Sequence, residues 1–249
     1  MPFTGSHPAA VVPLLRTGLV PSALVIGSMT PDFPYYVPTG ISAGATHSAG
    51  GIVGVDLFLG AVVFALWHGL LAPAAVGLAP AGLRDRLAPD LPVAFSRYMS
   101  GAAAVGLVLV SLMIGAATHV LWDACTHAGR WGTDHIAWLR ETHGPLAGYR
   151  WMQYLGGVLG AAVLVVTVAR WWVRTPARPG AQRVPALGRR AGAVCLALIC
   201  AALGVGALAG LAAGDDLREA VFLAATWGGG AAAAAGVACA VAIAPSVSR

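Results

Sequence analysis

Residues 191–213 read AGAVCLALICAALGVGALAGLAA, and this run carries no charged side chain from one end to the other. A helix needs about 20 mostly apolar residues to cross the hydrocarbon core of a bilayer. Four other segments meet that length and polarity, so the sequence predicts five transmembrane helices. The predicted spans are 50–71, 98–121, 152–173, 191–213 and 220–244.

The composition of the whole chain agrees with this reading of its apolar runs. Hydrophobic residues make up 58% of the 249 residues and charged residues only 10%, too little polar surface to coat a water-soluble globule. We therefore expect an all-α, polytopic membrane protein. Abundant Arg, Ala and Gly are typical of a high-GC bacterial genome, so the expected location is a bacterial cell membrane. The net charge of +5 is spread along the chain, and we do not expect nucleic-acid binding.

The segment 8–30 precedes the first span and is broken by Pro8, Pro13 and Pro21, with Arg16 between them. Proline removes a backbone donor, and unsatisfied backbone groups are costly in lipid unless protein or water covers them. This pattern favours a re-entrant or interfacial helical hairpin, although a full span remains the alternative.

Clustered arginines indicate the orientation of the spans. The arginines around the loop between the third and fourth spans mark that loop as cytoplasmic, because basic residues stay inside. They are Arg170, Arg174, Arg178, Arg183, Arg189 and Arg190. The loop 72–97 falls on the same side. Alternation then places residues 122–150 and the approach to the first span, with His47, on the extracytoplasmic side.

The last two spans differ in character from the rest of the chain. Gly206, Gly210 and Gly214 recur every four residues, which predicts a helix face where another backbone approaches closely. We divide the chain into 1–175, which carries the polar motifs, and 176–249, an Arg-rich loop followed by two Ala/Gly-rich packing spans. The two parts are expected to form one structural unit.

The most informative polar pattern is His119-Val-Leu-Trp-Asp123-Ala-Cys-Thr-His127, at the outer end of the second span. On an ideal helix these three side chains lie within an arc of ~80°, and His119 and His127 are ~12 Å apart along the axis. One ion cannot easily reach both rings, but two ions ~3.5–4 Å apart could be bridged by Asp123. Zinc suits such mixed imidazole and carboxylate ligands. The alternative is a polar cap on the span, hydrogen-bonded internally and to water.

Three residues of the N-terminal part are further candidates for this site. His7, Asp32 and His47 each lie beside turn-forming or hydroxyl residues. Pro31 and Pro34 flank Asp32 and hold the chain extended, so a rigid turn would present its carboxylate. Taken singly, Asp32 is also typical of an ordinary turn.

Other polar residues are assigned supporting roles or none. Asp56, inside the first span, needs a partner or water and could support a ligating imidazole. His135 and His143, in the outer loop, either complete a metal shell or are solvated. Gln153 begins the third span, where it either anchors the interface or contacts substrate. His68 falls at the predicted cytoplasmic end, and we expect it to lie outside the site.

The motifs Met-Pro-Phe-Thr-x-Ser-His7-Pro-Ala-Ala and Pro-Ser-Ala-Leu-Val-Ile-Gly-Ser-Met-x-Pro-Asp32, together with His47 and His119-x-x-x-Asp123-x-x-x-His127, resemble a bacterial integral-membrane family of unknown function, number 4184 among such domains. The resemblance covers approximately residues 1–175 and fades in the C-terminal spans. It names a family and no reaction.

The order of these residues is also similar to that of membrane-bound metal-dependent hydrolases and, more distantly, of the all-helical zinc-dependent phospholipase C type. The resemblance implies a multi-zinc phosphoester hydrolase. Its implied metal ligands are His7, Asp32, His47, His119, Asp123 and His127. The soluble phospholipases also use an N-terminal amine and a later His-x-x-x-Glu pair. Here Ala147 stands four residues after His143, so a third metal is not expected.

These observations lead to an expected function. We expect a membrane-embedded hydrolase with one or two divalent ions, acting at the extracytoplasmic face on a phosphoester or lipid-like substrate reached from the bilayer. Asp123 would bridge the ions, and Asp32 would be a ligand or general base. Membrane lipids are the expected partners, and the oligomeric state is left open. The alternatives are a non-catalytic protein with a structural or sensory metal or polar cluster and, ranked lowest, a proton-relay transporter.

Overall fold

The computed structural model describes residues 4–247 of the chain. Helix accounts for 76% of the structure and strand for almost none, so the predicted all-α class is confirmed. Five helical stretches are long and apolar enough to cross a membrane. They are Val55–Leu78, Ala102–His135, Gly148–Arg174, Arg189–Ala213 and Leu217–Ser246. The protein is a multi-pass helical membrane protein.

The secondary structure consists of helices and one short hairpin. The α-helices are α1 (Pro21–Gly27), α2 (Phe33–Tyr36), α3 (Ala43–Thr46), α4 (Ala49–Val53), α5 (Val55–Leu66), α6 (Ala72–Leu78), α7 (Ala81–Arg84), α8 (Phe95–Tyr98), α9 (Ala102–Thr126), α10 (Trp131–His135), α11 (Ala137–Arg140), α12 (Gly148–Arg174), α13 (Arg189–Ala213) and α14 (Leu217–Val247). Two 3-10 helices, Thr4–Arg16 and Thr30–Asp32, and a π-helix, Trp67–Leu71, complete the helical part. Strands β1 (Thr142–His143) and β2 (Leu146–Ala147) pair antiparallel.

The chain divides into two compact units. The first comprises the described residues up to Pro34, Gly40–Phe64 and Ser100–Trp171. The second comprises Tyr35–Thr39, Ala65–Met99 and the described residues from Trp172 onward.

The first long helix is displaced from its predicted position. The sequence predicts a span at 50–71, whereas the long helical stretch begins at Val55 and ends at Leu78. Gly54 separates α4 from α5 with an irregular backbone conformation, which delays the start. Pro73 lies in the first turn of α6, where a missing backbone donor is tolerated, and the π-helix before it lets the helical path continue.

The N-terminal segment forms two short helices instead of one span. The 3-10 helix Thr4–Arg16 and helix α1 contact one another and are separated at Gly18, whose positive φ of 86° suits glycine. The Val20 N–H donates to the Ser111 hydroxyl, which attaches the start of α1 to α9. A helical hairpin in this segment is what the prolines predict.

Helix α9 is the central element of the first unit. Its buried side chains follow one face, from Val108, Leu112 and Ala116 to His119 and Asp123. Helix α1 packs on this face so closely that a Cβ built on Gly115 would lie 2.3 Å from the Leu24 carbonyl oxygen. The apolar face of α9 thus leads directly into the polar residues near its C-terminal end.

In the second unit, the Gly-rich faces of α13 and α14 pack backbone to backbone. A Cβ on Gly210 would lie 2.3 Å from the Leu223 carbonyl carbon, and one on Gly214 would lie 2.3 Å from the Ala220 nitrogen. A Cβ on Gly206 would lie 2.6 Å from the Trp227 carbonyl oxygen. The predicted packing role of these glycines is confirmed.

The α1–α9 contact predicts an unusual effect of adding a methyl group. Gly115→Ala should destabilise the protein by about 1–3 kcal/mol, because the new Cβ overpacks against the α1 backbone. Gly106→Ala, in the same helix with open space beside it, should be neutral or stabilising because alanine favours helix. Thermal unfolding of both variants in detergent measures the difference. Equal midpoints would contradict the close approach.

Candidate metal centre

Four buried residues of the first unit come together near the C-terminal end of α9. Asp32, His47, His119 and Asp123 each offer one ligand atom, and these four atoms all lie within 4.8 Å of one another. The residues come from three separate parts of the chain, two of them short and irregular. The cluster could hold a metal ion.

Local structure sets the direction of the two residues from short segments. Asp32 ends the 3-10 turn Thr30–Asp32, and the Thr4 hydroxyl donates to its Oδ2. His47 follows α3, and its Nδ1 lies 3.0 Å from the Ala43 carbonyl oxygen. A carbonyl can only accept, so Nδ1 carries the proton and Nε2 is left as a ligand atom. This Nε2 lies 3.4 Å from Asp32 Oδ1.

His119 is oriented in the same way by a main-chain carbonyl. Its Nδ1 lies 2.8 Å from the Ser28 carbonyl oxygen, so this nitrogen is the donor. Among the described residues its buried Nε2 has no hydrogen-bond partner, and it lies 3.5 Å from Asp32 Oδ1 and 3.6 Å from Asp123 Oδ2. With Nδ1 bonded to the Ser28 carbonyl, Nε2 is the ring nitrogen that is directed at the two carboxylates.

The spacing of the four ligand atoms fits an ion better than direct hydrogen bonds. The imidazole-to-carboxylate distances within this set are 3.4–3.6 Å, beyond the 2.7–3.2 Å typical of N–H···O bonds. Two ligands ~2.0–2.1 Å from a tetrahedral zinc ion are about 3.4 Å from each other. Both the donor set and its spacing are therefore compatible with a bound metal ion.

His7 lies beside this set as a fifth residue. Its ring stacks on His119 with centroids 3.7 Å apart, and its Nε2 is 3.6 Å from Asp123 Oδ1. Both ring nitrogens are buried and have no hydrogen-bond partner within residues 4–247. The other oxygen of Asp123, Oδ2, faces His47 and His119. Asp123 thus presents its two oxygens to different imidazoles.

The surroundings of the three cluster residues outside the spans shift their pKa values in different directions. Burial alone would raise the pKa of Asp32, but His119, His47 and the Thr4 hydroxyl hold it well below its ordinary value, so the carboxylate is ionised. Burial lowers the pKa of His7 to about 4, with a further contribution from His119, so this ring is neutral at pH 7. Burial alone would lower the pKa of His47, but the carboxylates of Asp123 and Asp32 raise it.

His127 does not continue the helix face as an ideal helix predicts. Helix α9 ends at Thr126, and the backbone of His127 is extended with φ −128° and ψ 140°. The expected ~12 Å offset from His119 along a helix axis therefore does not apply. The His127 Nδ1 lies 3.3 Å from Asp123 Oδ2, and its side chain is 27% exposed, so it forms the open edge of the cluster.

Gln153 and Asp56 are both buried. The Gln153 amide nitrogen lies 3.3 Å from His127 Nε2, so Gln153 can orient that ring, while its Oε1 has no partner among the described residues. Asp56 is 1% exposed in the first turn of α5, and neither of its oxygens has a hydrogen-bond partner in the described part of the chain. Neither residue is among the four that share one ligand position.

The remaining histidines pack elsewhere. His143 stacks on the Trp138 ring, and its Nε2 lies 2.8 Å from the Trp138 carbonyl oxygen. His135 stacks on Trp131. His68 lies in the second unit, with its Nδ1 3.0 Å from the Val93 carbonyl oxygen. The structure does not bring His135 or His143 to the four-residue cluster, where the sequence left a ligand role open.

Two supporting residues were not singled out as individual candidates from the sequence. Thr4 and Ser28 lie inside the quoted motifs, but their contacts join distant parts of the chain. The Thr4 hydroxyl fixes Asp32, and the Ser28 carbonyl fixes His119. The only sequence signal for them was their presence in motifs that also carry His7 and Asp32.

Comparisons with known proteins give one match. A family model described as a domain of unknown function (DUF4184) matches residues 1–242. The match extends beyond residue 175, where the resemblance was expected to fade, and includes α13 and most of α14. No curated protein and no solved structure matches. The comparisons therefore attach no activity to the chain.

Metal analysis of the purified protein in detergent tests the cluster. We expect a bound divalent ion in the wild type and loss of more than about 100-fold in affinity in His119→Ala, since even residues that only support ligands contribute ~10–100-fold. His135→Ala is the matched control and should keep its metal, because that ring stacks on Trp131. Equal metal contents in the two variants would exclude His119 as a ligand.

The hydrogen bond from Thr4 predicts a smaller effect. Thr4→Val should weaken metal affinity by ~10–100-fold, because the carboxylate of Asp32 loses the donor that orients it. Thr17→Val removes a hydroxyl that bonds only the exposed Leu14 carbonyl, and it should leave affinity unchanged. Titration with a competing chelator measures both values. An unchanged affinity in Thr4→Val would exclude the orienting role.

Proposed function

The chain belongs to the DUF4184 family, whose description states no activity, and we propose that it is a membrane-embedded, metal-dependent hydrolase of phosphoester or lipid-like substrates. The observation that carries this proposal is that two buried carboxylates and two buried imidazoles surround one position at the end of a span. His127, partly exposed, provides an open edge to that position.

Zinc is the proposed metal. Two imidazole nitrogens and two carboxylate oxygens, with nitrogen-to-oxygen distances of 3.4–3.6 Å, are a ligand set that zinc accepts well. A second ion is supported by Asp123, which faces His47 and His119 with one oxygen and His7 with the other. A carboxylate that bridges two ions in this way is common in hydrolytic sites with two metals.

The residues divide into ligands and groups that orient them. A divalent cation supplies Lewis acidity, which lowers the pKa of water and polarises a phosphoryl oxygen. Asp32 is assigned as a ligand through Oδ1, which faces His47 and His119, while its Oδ2 accepts the hydrogen bond from Thr4. Ser28 and Gln153 hold the rings of His119 and His127 in place. Burial of the cluster excludes bulk water from all but the edge at His127.

We assign the site to the extracytoplasmic face of a bacterial cell membrane. Arg97 precedes the start of α9, whereas Asp123 and His127 lie at its end. Helix α12 returns across the membrane towards Arg170 and Arg174. Because arginines favour the cytoplasmic side, the end of α9 that carries the cluster falls on the opposite side.

A lipid-like substrate is supported by the surface near the cluster. Trp131, shortly after His127 and on the helix α10 that packs against the end of α9, is 67% exposed. Exposed apolar side chains at this end of a membrane-spanning helix lie against lipid. A substrate with acyl chains can therefore approach the partly exposed edge without leaving the bilayer.

Turnover of a phosphodiester and phospholipid panel tests the proposal. Asp123→Asn should lower kcat/KM by at least about 100-fold, since it removes charge from the centre of the cluster. Asp134→Asn, in an exposed position on α10, is the matched control and should leave kcat/KM unchanged. Thermal unfolding shows that both variants are folded. Full activity in Asp123→Asn would refute the assigned role, and metal-loaded wild type without turnover would favour a structural or sensory site.

A further inference from the structure

Arg130 lies next to the candidate metal centre. It is half-buried at the start of α10, and its Nη1 lies 3.4 Å from the backbone carbonyl oxygen of His47. The ring of that same histidine contributes Nε2 to the four-atom set. The guanidinium therefore contacts the backbone of a residue whose ring is a proposed ligand. Arg130 also follows closely after His127, the partly exposed edge of the cluster.

The turn before α10 fixes Arg130 relative to His127. The Arg130 N–H donates to the Thr133 hydroxyl oxygen at 3.0 Å, and that hydroxyl lies 2.9 Å from the His127 carbonyl oxygen. Thr133 is 2% exposed. A Cβ on Gly132 would lie 2.5 Å from the Ala124 carbonyl oxygen, so α10 packs tightly on the end of α9. The position of the guanidinium is thus tied to the position of the cluster.

The charge of Arg130 is not neutralised by a neighbouring acid. In the part of the chain that the structure describes, its guanidinium makes one hydrogen bond, the long contact to the His47 carbonyl, and no ion pair. Arg84, in contrast, donates to two backbone carbonyls, those of Val76 and Val184. A guanidinium has five N–H donors, so Arg130 retains most of them for another acceptor.

We propose that Arg130 binds the anionic phosphoryl group of the substrate, so that the site takes phosphate esters in preference to neutral esters or amides. This inference rests on the proposed hydrolase function and names its substrate class. The planar fork of a guanidinium matches two phosphate oxygens, and such pairs are strong where water is partly excluded. One divalent cation would balance the negative charges of Asp32 and Asp123. The guanidinium of Arg130 would then give the open edge a positive charge, which attracts an anion.

Calorimetric titration with inorganic phosphate tests the inference without any need for turnover. Wild type, Arg130→Ala, Arg130→Lys and Arg150→Ala are compared as full chains in detergent, each with zinc added and after metal removal. Arg130→Ala should weaken phosphate binding by about 10-fold or more, and Arg130→Lys by less, because lysine keeps the charge but loses the fork. Arg150→Ala is the matched control, since this half-buried guanidinium bonds the Tyr149 hydroxyl and, among the described residues, has no contact with His47 or His127.

The outcomes separate this inference from the proposed function. Phosphate binding that is equal in wild type and Arg130→Ala, or absent from wild type in both metal states, overturns the role of Arg130. Binding that depends on Arg130 in a protein without turnover keeps the anion site and removes the hydrolase. If Arg130→Ala fails to fold, reduced binding in folded Arg130→Lys supports the fork, and wild-type binding there overturns it.

A competition arm identifies the source of the phosphate group. Micelles of phosphatidic acid are added to wild type at a fixed phosphate concentration, with diacylglycerol micelles as the neutral control. Competition by phosphatidic acid alone supports a lipid headgroup bound at Arg130. If neither competes while phosphate still depends on Arg130, the result supports a water-soluble phosphate ester at the same position. Equal competition by both lipids overturns recognition through charge.

Discussion

The backbone contact between α1 and α9 is the constraint on which the candidate site depends. Only glycine at positions 27 and 115 lets these helices approach until a Cβ on either would overlap a main-chain oxygen. That approach brings the Ser28 carbonyl to 2.8 Å from His119 Nδ1, which turns Nε2 towards the cluster. Asp32 ends the short turn that follows Ser28, so the same helix contact places the Asp32 carboxylate beside the His119 ring.

The electrostatics of the cluster follow from this placement. Two buried carboxylates face imidazole nitrogens across 3.4–3.6 Å, with little water to solvate them. Burying unpaired charge is costly, and in a membrane-spanning bundle such residues almost always pair with each other or serve a function. A bound cation would be ligated by the four atoms that otherwise face one another. In the proposed function the same cation would leave Arg130 as the uncompensated charge at the edge, which would link metal binding to the choice of an anionic substrate.

The sequence predicts the helical class well, because apolar length alone specifies a span, and the i, i+4 spacing of His119 and Asp123 correctly indicates a shared helix face. It names His127 as a site residue but does not predict the extended backbone there, because α9 stops at Thr126 where α10 packs against Ala124, and that contact is tertiary. Helical periodicity says nothing about His7 or His47, which lie outside α9. Their neighbouring residues and, for His47, the predicted side of the membrane made them candidates, and the resemblance implied their ligand positions. The supporting contacts of Thr4 and Ser28 required coordinates.

The division of labour within the first unit explains why its ligands come from such different elements. Helix α9 is a rigid platform that contributes two ligands one turn apart, so their separation is set by helix geometry. Asp32 and His47 come from short segments and are oriented by contacts with the Thr4 hydroxyl and the Ala43 carbonyl, whereas His7 comes from the 3-10 helix Thr4–Arg16 and stacks on the His119 ring. A long helix fixes the directions of neighbouring side chains together, whereas a short turn can orient one side chain separately. Candidate ligands therefore also come from short segments outside the long helices, whereas the glycine-rich faces of α13 and α14 serve helix packing.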